Sequence, residues 1–94
     1  DADIQYSFHI ANKYNKLNEP IFIYGYSNVV DSELKNLQAE VLIDDEVIST
    51  IKLLYNPISG YYFTQIEPDA LGSYVFNIQN NKKLIDTINV NIYE

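Results

Sequence analysis

Apolar and polar positions alternate with period two along most of the chain, the pattern of half-buried β-strands. Ile4, Tyr6, Phe8 and Ile10 alternate with Gln5, Ser7 and His9. A polar stretch over residues 12–19 interrupts the pattern, and Pro20 opens a second strand over residues 21–26. Ile21, Ile23 and Gly25 share one face of it, and Phe22, Tyr24 and Tyr26 share the other. Both faces are apolar, so the period does not decide which one points inward. Asp31, Ser32 and Glu33 suit the cap of a short helical turn ending by Asn36.

Alternation resumes at Leu37, with Ala39, Val41 and Ile43 set against Gln38 and Glu40. Asp44-Asp45-Glu46 reads as a tight polar connection into one long strand over residues 47–55, with Val47, Ser49, Ile51, Leu53 and Tyr55 on one face. Residues 56–60 form a turn in which Pro57 fixes φ and Gly60 tolerates φ > 0. The strand over residues 61–66 is stopped by Pro68, and Tyr74, Phe76 and Ile78 set the inward face of the next. Asn80-Asn81-Lys82 turns the chain into a last strand over residues 84–93, where Ile88, Val90 and Ile92 align.

Seven short strands, with turn signals about every 8–12 residues, predict an all-β sandwich. No segment reads as a crossover helix, which argues against a parallel sheet. With 94 residues the chain is a single domain over 1–94, with no internal repeat.

Composition narrows the function classes. Six Lys, no Arg and thirteen acidic residues give a net charge of −7, a poor match for nucleic acid or an anionic lipid surface. Residues 1–47 carry three Lys against nine acidic residues, and residues 48–94 carry three against four. No run has the length of a membrane-spanning helix. Without Cys there is no disulfide framework, thiolate zinc site or thiol nucleophile. The absence of Met, even at position 1, points to a processed N-terminus or a piece of something longer.

Candidate chemistry is sparse. His9 is the one histidine, on the solvent side of an expected edge strand, and none of the six serines sits in a G-x-S-x-G context. Asp44, Asp45 and Glu46 are the densest carboxylates, but their spacing does not fit a calcium loop, and a solvated turn accounts for them. Whether they bind a cation stays open. Asn89 and Asn91 should face outward, away from any buried Lys–Asn crosslink, and no N-x-[ST] site is present. The chain is therefore expected to be no enzyme, with no catalytic, cofactor or metal residues.

The segments Leu53-Leu54-Tyr55-Asn56, Gly60-Tyr61-Tyr62 and Leu71-Gly72-Ser73-Tyr74-Val75-Phe76 follow one another in a recognisable order. This resembles the L-x-Y-N … G-x-Y … G-x-Y-x-[VF] run of immunoglobulin-like modules in bacterial and archaeal cell-surface proteins. Ile21-Phe22-Ile23-Tyr24-Gly25 and Leu37-Gln38-Ala39-Glu40-Val41 resemble the early strands of the same modules, so the likeness spans about residues 20–93. It implies an immunoglobulin-like sandwich of about seven antiparallel strands. It also implies structural roles for Gly60, Gly72, Tyr74 and Phe76. Tyr74 takes the place of the corner tyrosine, its hydroxyl bonding back to backbone near Asp69 or Ala70. Phe76 stands where antibody domains place a Cys.

Nine tyrosines exceed what one small core accommodates. Tyr24, Tyr26, Tyr61, Tyr62 and Tyr93 are candidate contact residues, with cross-strand pairing on an exposed face as the alternative. Residues 1–11, with Ile4, Tyr6, Phe8 and Ile10, form a possible exchangeable strand on the 12–19 link. The expected function is that of a non-catalytic extracellular module, a building block of a microbial surface layer, filament or adhesin that self-associates or contacts neighbouring domains. The alternative is a monomeric accessory domain of a larger secreted protein or enzyme that binds a ligand such as carbohydrate.

Overall fold

The computed structural model describes residues 6–12, 14–27 and 37–94. It contains nine strands: β1 (Tyr6–Ile10), β2 (Asn15–Lys16), β3 (Ile21–Ser27), β4 (Leu37–Ile43), β5 (Glu46–Lys52), β6 (Leu54–Asn56), β7 (Tyr61–Ile66), β8 (Gly72–Asn80) and β9 (Lys83–Tyr93). They form a four-stranded sheet in the order β1-β3-β7-β6 and a five-stranded sheet in the order β2-β9-β8-β4-β5. That partition is the immunoglobulin one, with the first, second, fifth and fourth strands of the standard fold facing the remainder.

The inward positions of the two sheets interlock as one core. Ile21 and Ile23 of β3, Ala39 and Val41 of β4, and Tyr74, Phe76 and Ile78 of β8 are almost fully buried. The ambiguity of β3 is resolved by this core. Its Ile21, Ile23 and Gly25 face point inward, and Phe22, Tyr24 and Tyr26 point out. Gly25 is required there, because Phe8 of β1 lies directly opposite and its ring packs over the glycine.

Two expectations need correction. The single strand expected over 47–55 is two, because the chain leaves the five-stranded sheet after Lys52 and enters the other at Leu54. Leu53 at the crossing is buried, with its N–H bonded to the Leu37 carbonyl. Val47, which shares a face with Ser49 and Ile51 by parity, is half exposed because a bulge shifts the β4–β5 register at Val41/Leu42 and sets Val47 opposite Leu42, which alternates with the buried Val41.

Second, the strands are not all antiparallel. The 12–19 link contains β2, which pairs in parallel with Ile92 and Tyr93 of β9. Leu17 N–H donates to the Tyr93 carbonyl and Asn18 N–H to that of Pro68, so this link is fastened to the sandwich.

β1 pairs with β3 from Tyr6↔Ser27 to Ile10↔Ile23. Phe8 is core, and Tyr6 and Ile10 pack against it. Ile4 and the helical turn expected over 31–36 lie outside the described residues.

Candidate interaction surface

Alternation along β1, β3, β7 and β6 defines what the four-stranded sheet shows to solvent. Its outward side chains are Ser7, His9, Phe22, Tyr24, Tyr26, Leu54, Asn56, Tyr61, Phe63 and Gln65. None is Asp, Glu or Lys, although the chain has nineteen such residues. The five aromatic rings are between 37% and 50% exposed, and Leu54 is 53% exposed. Tyr61 stands edge-on to both Tyr24 and Tyr26, with centroids 6.0 and 5.8 Å away, and His9 lies 5.7 Å from Tyr24. Phe22, Tyr24, Leu54, Phe63 and Gln65 border a shallow apolar groove of about 470 Å³.

The structure divides the candidate contact residues into groups. Tyr24, Tyr26 and Tyr61 share the outer face. Tyr62 does not belong there: it is 2% exposed and packs on Tyr55 with ring centroids 4.9 Å apart. Adjacent residues of a strand point to opposite faces, so Tyr61 and Tyr62 cannot both lie outside. Phe8 is likewise interior. Tyr93 is exposed on the other sheet, beside Tyr14 at 6.5 Å. Phe22 shares the face of Tyr24 and Tyr26 as the sequence predicts, and Phe63 and Leu54 are further members of the outer face that the sequence reading did not assign. Each alternates with a residue now seen in the core, and that was the available signal.

The structural residues occupy turns and the core. The Tyr74 hydroxyl donates to the Ala70 carbonyl at 3.0 Å and accepts from the Ala70 N–H at 3.2 Å, pinning the approach to β8. Phe76 is fully buried between the sheets. Gly60 (φ 80°) closes the 57–60 turn, where the Asn56 side chain accepts from the N–H of Ile58 and Ser59. Gly72 opens β8 at φ 122°.

His9 has a partner that sequence reading did not find. Ser7, two residues away on the same face, lies with its Oγ 2.7 Å from His9 Nε2. Such a contact is half of a nucleophile–base arrangement, but the pair sits on an open sheet surface, and among the described residues no carboxylate is seen bonded to the ring. Asp44 and Asp45 form the two-residue turn between β4 and β5, both at positive φ. Among the described residues no three His, Cys, Asp or Glu side chains gather around a common point.

No family model matches the chain, and no curated protein matches it. Among solved structures it is similar to the crystal structure of the Lin-41 filamin domain, at 21% identity and a TM-score of 0.67. The likeness covers 94% of this chain and 91% of that one. It therefore extends over both sheets, and the fold is an immunoglobulin-like sandwich of the filamin-domain kind.

Proposed function

We propose that this chain is a non-catalytic interaction module, a building block that meets further copies or neighbouring domains through the outer face of the β1-β3-β7-β6 sheet. The observation that carries the reading is the composition of that face: half-exposed aromatic rings and Leu54, with no Asp, Glu or Lys among its described residues, on a chain of net charge −7. Contiguous exposed apolar surface of this kind marks contact sites, and aromatic enrichment with charge depletion is the signature of an interface centre. The role expected is assembly at a microbial surface, which the resemblance to surface modules supports. The filamin-type fold is compatible with it.

A carbohydrate platform has weaker support. Stacking on a sugar ring calls for an accessible flat aromatic surface, whereas Tyr61 meets Tyr24 and Tyr26 at 80° and 79°. Rings set edge to face suit interdigitation with another set of side chains.

The test is sedimentation of the full chain over a concentration series, beside the double variant Tyr24→Lys/Phe63→Lys. The wild type should associate as concentration rises and the variant should stay monomeric with its far-UV spectrum unchanged. A wild type that is monomeric throughout overturns the assembly reading. Deleting residues 1–11 is the poorer experiment, because it removes Phe8 from the core.

A further inference from the structure

On the side of β9 away from β8, β2 is paired only with Ile92 and Tyr93, and among the described residues no strand lies beside the residues before them. The cause is a fork in the chain. Ala11 still follows β3, its N–H bonded to the Phe22 carbonyl, and contact with β9 begins only at Asn15. The bond from Leu17 N–H to the Tyr93 carbonyl fixes which β9 residues face the fork. A strand residue points its N–H and C=O to the same edge, and successive residues alternate. Asn91 and Asn89 therefore turn both backbone groups toward the fork, as Tyr93 does, whereas the Thr87 N–H on the same edge already donates to Asp86 Oδ1 at 2.8 Å, and that carboxylate closes the edge there.

Open edges are commonly blunted by Lys, Pro or a bulge. Between Thr87 and Asn91 there is no charge and no Pro, and the irregularity of the β8–β9 ladder lies beyond this stretch, at Ile78/Gln79. Beside the edge lies a groove of about 250 Å³, lined by Ile10, Ile88, Val90, Asn15 and other uncharged residues. Asn15 is only 4% exposed. Its Nδ2 donates to the Asn12 carbonyl at 3.1 Å, but its buried Oδ1 has no partner among the described residues. A buried acceptor without a donor calls for one.

We infer that this fork accepts an extended segment of another polypeptide as an added strand beside β9. The segment pairs with Asn89 and Asn91, lays alternate apolar side chains over Ile10, Ile88 and Val90, and supplies an N–H donor to Asn15 Oδ1. A row of backbone donors and acceptors at strand spacing is matched by another strand. The central residues of the segment are uncharged, because the described residues of the groove offer no countercharge. An intact β9 from a second copy fits poorly: pairing residues 87–91 of both about a twofold axis lays each strand's continuation onto the β2 of the other. This site is on the opposite sheet from the aromatic face and stands independently of the assembly reading.

The experiment is an NMR titration of the dilute full chain with a blocked synthetic peptide alternating valine with threonine and asparagine, with one lysine at each end for solubility. The amides of Asn89 and Asn91 should exchange freely without the peptide and become protected with it. Asn89→Pro removes one edge N–H while leaving the β8 ladder intact, and should abolish binding in a chain whose spectrum shows it folded. Asn15→Ala should weaken binding about tenfold, the loss of one hydrogen bond. If Asn15→Ala does not fold, the proline variant decides.

Four results overturn the proposal. They are protection of the Asn89 and Asn91 amides before peptide is added, protection that grows with chain concentration alone, shifts confined to the β5 edge (Glu46–Lys52), and no binding at millimolar peptide.

Discussion

A Cβ added at Gly25 would lie 2.7 Å from Phe8 Cγ and 2.5 Å from the Ser7 carbonyl oxygen, so one methyl group sets β1 against β3. Gly25→Ala should destabilise the chain by about 1–3 kcal/mol, the range for overpacking, seen as a lower urea midpoint with little change in slope. An unchanged midpoint would show that Phe8 does not seat on the glycine. Tyr74→Phe removes both hydrogen bonds to Ala70 from a side chain that is otherwise core. It should cost about 1–3 kcal/mol by the same measurement, because it leaves backbone groups unpaired at the corner. These two residues differed in legibility. Tyr74 had its role from the resemblance of the Leu71–Phe76 run to immunoglobulin-like modules. Gly25 shows only as a gap in an apolar face, since what fills the gap comes from a different strand.

At the level of elements, alternation located the long strands well and failed where a strand changes partners. Ile51, Leu53 and Tyr55 keep the same parity through the crossing from β5 to β6. Both sheets turn their inner faces to one core, so moving between them does not interrupt the pattern. β2 was hidden for another reason: it is two polar residues long, and its pairing with β9 is set by tertiary contact.

Turn chemistry was legible in place but not in strain. Asn81 and Lys82 connect β8 to β9 with both residues at positive φ, 52° and 69°, the geometry of a type I′ turn. Asn tolerates that region, whereas Lys bears a steric cost of about 1–2 kcal/mol there. Lys82→Gly relieves it, less the larger chain entropy of glycine, and should stabilise the domain by about 0.5–1 kcal/mol, raising the thermal midpoint. A lower midpoint would mean that the Lys82 side chain makes a stabilising contact stronger than the strain.

For the whole molecule, the question is how a chain of net charge −7 approaches its own copy. Among the described residues the outer face of the four-stranded sheet carries no carboxylate, so close contact there places no like charges in direct opposition. The remaining acidic residues still repel at longer range through solvent, and salt screens that repulsion. The screening length falls from about 14 Å to about 4 Å between roughly 0.05 M and 0.5 M sodium chloride. Association through the aromatic face should therefore strengthen with salt, by several-fold in the apparent dissociation constant measured by sedimentation. An assembly held by Lys–carboxylate pairs has the opposite dependence, because screening removes the attraction that forms it. Weakening with salt would therefore place the contact on a charged part of the surface. Chloride is the right anion for this measurement: sulfate strengthens burial of any apolar surface and would raise association without reporting on charge. The double variant Tyr24→Lys/Phe63→Lys serves as the reference at both salt concentrations. It lowers the net negative charge, so electrostatic repulsion alone predicts easier association, whereas a role for the face predicts that association is lost.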